Sequence, residues 1–424
     1  MNVLLISANT ETFNMPTLPM GLGSVAAAVK RAGHRVLFLD LMAEATPLTA
    51  LENAVHKFAP DVIGISIRNV DDQASDSPRF LIEKTRPVVS LCKRLSAAPV
   101  VLGGAGYSLF PESMIEYLGA DMGIQGEGEG AFVELLELIE AGSDPLIVPG
   151  LFLRGKGLQA PRAYQRKLDD WLFPDPELFD VRLFQDPAYY LPVQTRRGCP
   201  LNCSYCSTGT IEGRQIRKRS PEAVVRELTR WQRAGFSRIF FVDNTFNLPA
   251  GYARALCKQL KASGMELTWR CILYPARIDK PLVRAMAEAG CSEVSLGFES
   301  GNQQVLAGMR KKFDIADIRN TSDLLAGAGI RRIGFLLLGG PDETRTSVEE
   351  SMQFVDSLNL DMVKLTIGIR IYPYTQLADI ARAEGVIDEQ DDLLRPKFYI
   401  TSGLENWLRQ TVLQWMSARP NWVM

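Results

Sequence analysis

Histidine is almost missing from this chain. His34 and His56 are the only two in 424 residues, which leaves little scope for metal sites or acid–base chemistry built on imidazole. A basic excess is missing too. The formal net charge of −2 argues against a large nucleic-acid-binding surface. No apolar run approaches the length needed to span a bilayer. The run Met1–Ser7 lacks a basic n-region and a small-residue cleavage site, so it reads as a strand and not a signal peptide. Seven cysteines are sparse, odd in number and unpaired in spacing, which speaks against a disulfide framework. A hydrophobic fraction of 46% and a charged fraction of 23% describe an ordinary globular protein of two or three domains. The expectation is a reducing, cytoplasmic compartment.

What the chain does have is a C-x3-C-x2-C triplet. Cys199, Cys203 and Cys206 lie within Arg197-Gly198-Cys199-Pro200-Leu201-Asn202-Cys203-Ser204-Tyr205-Cys206. Three thiolates on one tight loop can hold an iron–sulfur cluster and leave one iron without a protein ligand. A structural zinc site needs four Cys or His ligands, and the next cysteine is Cys257. Zinc therefore stays open only as a site completed by a distant residue.

Residues 1–141 alternate short apolar runs with helical patterns. The strand candidates are Val3–Ser7, Val36–Asp40, Val62–Ile67, Val100–Gly103 and Met122–Gln125. Near-continuous apolar strands of this kind fit a doubly wound parallel sheet with ligands at its carboxyl edge. Residues 142–190 read as a punctuated linker, rich in proline and glycine. From 191 to about 378 a second alternation offers six strands, Leu191–Thr195, Arg238–Val242, Leu267–Cys271, Glu293–Leu296, Arg332–Leu338 and Met362–Ile371. Six units are too few to close an eight-stranded barrel, so an open, partial (β/α)6 barrel is expected. Residues 379–424 form a helical extension. Leu404, Trp407, Leu408, Val412, Trp415 and Met416 share one helical face. That face suits packing on the barrel, a lid, a dimer contact or a membrane surface.

The Cys loop and the alternation that follows resemble the radical S-adenosylmethionine (radical SAM) superfamily. That resemblance implies a [4Fe–4S] cluster on Cys199, Cys203 and Cys206, with its open iron chelating SAM and its electron yielding a 5′-deoxyadenosyl radical. Tyr205, before the last cysteine, is also typical. Asp243, Asn244 and Thr245, in Phe241-Val242-Asp243-Asn244-Thr245-Phe246, resemble the segment that receives the SAM amino group. Gly297-Phe298-Glu299-Ser300-Gly301 resembles the segment beside ribose and methionine, with Glu299 as the candidate for the ribose hydroxyls. One of Arg310, Lys311 and Lys312, with Arg310 as the first candidate, would pair with the SAM carboxylate; a solvated helix end is the alternative. Gly340, in the turn Gly339-Gly340-Pro341-Asp342-Glu343-Thr344, would border the adenine. Arg270 and Arg277 suit either an acidic substrate or structural pairing.

The first 141 residues resemble the cobalamin-binding domain of B12-dependent radical SAM enzymes. Gly21-Leu22-Gly23-Ser24-Val25-Ala26 fits the dinucleotide pattern G-x-G-x-x-A, but it stands too far from the first strand for that role. Pro19-Met20-Gly21-Leu22, Gly33-His34, Val36 and Asp40 resemble the first β/α/β unit of cobalamin domains. Ser66 and Arg68, Gly103 and Gly104, and Gly126, Glu127 and Gly128 fall at the ends of the third, fourth and fifth strands. Small residues there would open a slot for the dimethylbenzimidazole tail. The Asp-x-His-x-x-Gly motif that ligates cobalt in many such domains is absent, so base-off cobalamin is expected, with Arg68 beneath the metal. Arginine stays protonated and is a poor ligand. The family implies methylation of an unactivated carbon of a small molecule, fed by an electron donor of flavodoxin or ferredoxin type. A radical cyclase or rearrangement enzyme, and a regulatory module with a vestigial cluster, are the alternatives.

Overall fold

The computed structural model describes residues 1–11, 17–171, 173–180 and 189–424. Pro187, counted above in the linker, lies outside them. The first sheet has seven strands in the order β2-β1-β3-β4-β5-β6-β7. They are β1 (Asn2–Ser7), β2 (Arg35–Asp40), β3 (Val62–Ser66), β4 (Val100–Gly103), β5 (Met122–Ile124), β6 (Leu151–Leu153) and β7 (Gly157–Leu158). The first five run parallel. Val3, Leu4, Leu5 and Ile6 are at most 1% exposed, because helices cover both faces of a parallel sheet. Gly64 lets β3 lie beside β1: a Cβ there would stand 2.7 Å from Leu5 Cδ2. The order 2-1-3-4-5 places a topological switch between β1 and β3, where open α/β sheets carry their ligands.

Residues 142–190 do more than link. β6 pairs antiparallel with β5, and β7 with β6. Gly155 and Gly157, at φ +72° and +69°, make the tight reversal that glycine alone adopts without strain. Proline and glycine punctuation marked the turn but hid the short hairpin around it.

The second sheet is open and parallel, in the order β18-β15-β14-β13-β12-β11-β8. Its strands are β8 (Leu191–Val193), β11 (Arg238–Phe241), β12 (Thr268–Leu273), β13 (Cys291–Glu299), β14 (Arg331–Leu338), β15 (Met362–Ile367) and β18 (Trp422–Val423). The short pairs β9 (Arg196–Arg197) with β10 (Arg217–Lys218), and β16 (Ile369–Arg370) with β17 (Phe398–Tyr399), are antiparallel. Along β12, Trp269, Cys271 and Leu273 are buried while the residues between them are partly open. Alternation of this kind puts one face under the helices and leaves the other lining a concave interior.

The expected six units are thus joined by a seventh strand from the tail. β18 adds to the edge at β15, and Trp422 stacks on Trp415 with ring centroids 5.7 Å apart. Leu404, Leu408 and Val412 on the helix Glu405–Ser417 enter the same core. The apolar face of the tail packs on the barrel; burying each such side chain contributes about 1.5–3 kcal/mol.

A continuous apolar cluster joins the two sheets, running from Ile63 and Ile65 to Ile369, Leu377 and Tyr399. Within this contact Asp71 and Arg370 form an ion pair at 2.8 Å, with side chains 1% and 3% exposed. Arg370 also donates to the carbonyl of Leu393. Removing one member of such a pair strands a buried charge. Asp71→Asn should lower unfolding stability by about 3–5 kcal/mol. Asp71→Leu combined with Arg370→Met should recover most of it, both read from urea unfolding midpoints.

Candidate functional site

A cavity of about 460 Å³ opens at the carboxyl ends of β1, β3, β4 and β5, and its far wall belongs to the second sheet. Gly21, Ser66, Arg68, Gly103, Gly104, Gly126, Glu127 and Gly128 all line it. The second unit supplies Pro192, Gln194, Arg197, Ile211, Glu212 and Val242. Around Gly21 a Cβ would meet nothing within 4 Å, and at Gly103 only the Ile124 carbonyl at 4.0 Å, so both glycines leave free room. Gly104 serves the backbone: at φ +99° a Cβ would stand 2.5 Å from the Ile67 carbonyl. Gly23, two residues after Gly21, thins its helix against Pro174 and Phe179 and not against the sheet.

Arg68 makes no hydrogen bond or ion pair with another described residue. Burial in the cavity wall lowers its pKa. Neither histidine reaches this place. His34 sits at the turn before β2 with Nδ1 3.2 Å from the chain's amino terminus. It is buried. His56 lies on an exposed helix face beside Glu52.

Cys199 is buried, Cys203 half-buried and Cys206 exposed. Burial pushes the Cys199 thiol up to about 11. Among the described residues no three His, Cys, Asp or Glu side chains gather as they would around one metal ion. Beside Cys203, Lys311 Nζ donates to the Tyr205 hydroxyl at 3.0 Å and to Glu299 Oε1 at 3.2 Å. The Tyr205 hydroxyl itself donates to Glu299 Oε1 at 3.0 Å. Burial opposes the Lys311 charge, yet the Glu299 carboxylate raises its pKa.

Between cavity and thiols lies a buried ionic cluster. Arg197 donates to both oxygens of Glu129 and lies 3.5 Å from Glu127. Arg217 pairs with Glu127 as well. Burial works against the Glu129 charge, but the Arg197 guanidinium holds its carboxyl below the usual range.

Several expected contacts are different in the fold. Asp243 is 0% exposed and accepts from Thr195 N, Thr195 Oγ1 and Arg196 N at 2.7, 2.6 and 3.0 Å. With both oxygens bonded, it ties down the strand leading to Cys199 and has no face for an ammonium. Ser300, also 0% exposed, bonds to Ser351 at 2.9 Å and pins β13 to a helix. Thr245 is buried beside Arg196. Gly340 N–H donates to Glu343 at 3.0 Å. Glu127 lines the cavity, but its carboxylate serves the arginines and Gln165 N. Arg310 is exposed at φ +58°, and that turn aims Lys311, not Arg310, at Cys203. Arg270 pairs with Glu293 at 3.5 Å and stacks on Tyr190 and Phe240, so it is structural. Arg277 is exposed. Asn244 is linked through Thr208 to the Cys206 sulfur. Sequence reasoning gave no role to Arg197 or Glu212, and it had Lys311 only as one of three neighbouring cations. The one available signal was adjacency: Arg197 precedes Gly198-Cys199.

Residues 193–355 match the radical SAM superfamily, and residues 6–136 match the B12 binding domain. The chain belongs to the cobalamin-dependent radical SAM enzymes. An uncharacterized methyltransferase of Pyrococcus horikoshii is 28% identical over 91% of this chain and 84% of that protein. The tryptophan 2-C-methyltransferase of Streptomyces laurentii is 24% identical over 87% of this chain and 73% of its own length. The radical SAM methyltransferase TsrM of Kitasatospora setae, solved with cobalamin and a [4Fe–4S] cluster, superposes with a TM-score of 0.80. It is 23% identical and covers 91% of this chain and 75% of its own, a likeness of fold.

The cofactors of this family are the [4Fe–4S] cluster, SAM and cobalamin, and the residues present fit them. Three thiols without a fourth ligand suit a cluster with an open iron. A glycine-walled cavity with an unpaired arginine and no histidine suits a base-off corrinoid. Gly103→Val should fill that cavity and weaken hydroxocobalamin binding by at least about tenfold, or 1.4 kcal/mol. Folding stability should stay within about 0.5 kcal/mol, as spectral titration and denaturant melts would show.

Proposed function

We propose that this chain is a radical SAM methyltransferase that moves a methyl group, by way of cobalamin, to an unactivated carbon of a small molecule. The observation that carries the proposal is that the cavity and the Cys loop share one wall, formed by Gln194, Arg197 and Glu212. When bound, the cluster supplies the electron for reductive cleavage of SAM, and the cobalamin supplies a transferable methyl group.

In this reading Cys199, Cys203 and Cys206 hold the cluster. Tyr205, Asn244 and Glu299 approach SAM, and Lys311 takes the place expected of Arg310 beside its carboxylate. Gly21, Ser66, Gly103, Gly104, Gly126 and Gly128 would shape the cobalamin slot, and Arg68 would face the corrinoid from the cavity wall as a protonated group that is a poor metal ligand. The chain's own work is to orient two cofactors and a substrate and to keep water from them. No acid–base residue is needed, in keeping with two histidines placed away from the cavity.

The domain division read from the sequence, with residues 1–141 for cobalamin and 191–378 for the radical SAM barrel, belongs to this proposal. So do a cytoplasmic setting and an acidic flavodoxin- or ferredoxin-type electron donor. Among the described residues no helix is long and apolar enough to cross a membrane.

The test is an anaerobic reaction of the reconstituted protein with candidate metabolites and SAM carrying a deuterated methyl group. A product bearing that methyl group is expected; an isomer or ring-closed product without it would favour the cyclase reading. Cys203→Ala should bind less iron and lose SAM cleavage by at least about a hundredfold, the scale of removing a group essential to the chemistry.

A further inference from the structure

Glu212 ends the short helix Thr208–Glu212 directly after the Cys loop, and it lines the cavity. Three donors face its carboxylate. Gly198 N–H reaches Oε2 at 3.0 Å, Asn244 Nδ2 reaches Oε2 at 2.9 Å, and Gln194 Nε2 reaches Oε1 at 2.7 Å. An ionised carboxylate, which only accepts, satisfies all three. Unlike Glu127 and Glu129, it forms no ion pair among the described residues; burial raises its pKa, and the Gly198 N–H and the nearby Arg197 guanidinium work against that rise.

The donors belong to the Cys loop. Gly198 precedes Cys199 at φ +87°, and a Cβ there would stand 2.1 Å from the Gln215 carbonyl. Cys199 N–H donates to the Gly213 carbonyl at 3.1 Å, immediately after Glu212. At the other end of the loop, Asn244 Oδ1 lies 3.5 Å from Thr208 Oγ1, which is 3.3 Å from Cys206 Sγ. Gln194 also accepts from Arg197 Nε at 3.2 Å, and Arg197 is held by the cavity's Glu129.

We infer that Glu212 is a positioning residue that fastens both ends of the Cys199–Cys206 loop to the wall of the cobalamin cavity and keeps a negative charge between the two cofactors. This rests on the cofactor assignment above. A fixed anion beside the cluster disfavours its reduced, more negative form, so this residue sets the potential at which the cluster accepts its electron.

The experiment is an EPR-monitored redox titration of the full-length protein, reconstituted anaerobically with iron, sulfide and hydroxocobalamin. Glu212→Gln removes the charge and turns an amide toward the Gly198 and Asn244 donors; its midpoint potential should move positive of the wild type. Gln194→Leu withdraws one donor from the same carboxylate and leaves its charge less offset, so its midpoint should move negative. Glu212→Asp keeps the charge and should stay nearer the wild type than Glu212→Gln. Shifts of opposite sign support the inference, since general loosening of the loop would move both variants the same way. If Glu212→Gln does not load a cluster, the negative shift of Gln194→Leu carries the test alone. Shifts of the same sign, or none, overturn it. A wild-type protein that loads no cluster or no cobalamin would instead overturn the cofactor assignment.

Discussion

One buried arginine holds the two halves of this molecule in working register. Arg197 comes two residues before Cys199, and its guanidinium is gripped by Glu129 and approached by Glu127, from the first turn and the cap of the helix Gly128–Glu140 that walls the cavity. Buried pairs of this kind cost much desolvation and return little net stability, but they fix geometry because any displaced arrangement strands a charge. Here the geometry they fix is that of the thiol loop relative to the cavity. The Asp71–Arg370 pair does the same on the opposite flank. It follows Arg68 by three residues, so the chain that brings Arg68 into the cavity is anchored to the barrel almost at once.

The first five strands of one sheet and all seven of the other run parallel, and each set presents its carboxyl edge to the other. Loops at these edges carry function because they are positioned by rigid strands yet free to vary. The cavity draws its floor from Ser66, Gly103 and Gly126 at strand ends and its roof from Gln194, Arg197 and Val242 after the first strands of the barrel. Apposing the two edges encloses the cavity between residues of both units.

Much of this was legible in the sequence, and the misses have a common cause. Strand positions followed from continuous apolar runs, and most boundaries fell within two residues of those observed. The Cys loop was legible from its spacing, and Gly104 because its backbone at φ +99° restricts the residue type locally. Side chains whose meaning depends on a distant partner were not. Asp243 is a buried anchor for Thr195 and Arg196, Ser300 a tie to Ser351, and Glu127 a counterion for Arg217. Spacing cannot show which of three neighbouring cations a turn will direct inward, and here it is Lys311 that reaches Tyr205 and Glu299. The hairpin Leu151–Leu158 was hidden because two- and three-residue strands carry no periodicity of their own.

The central claim is that the cavity receives cobalamin without a side-chain base and sets Arg68 beneath the metal. EPR of the cob(II)alamin form bound to the reconstituted protein tests it most directly. A base-off spectrum with no nitrogen superhyperfine splitting, and one that changes when Arg68 is replaced by leucine, is predicted. A nitrogen-split signal, or one indifferent to Arg68, would contradict the account.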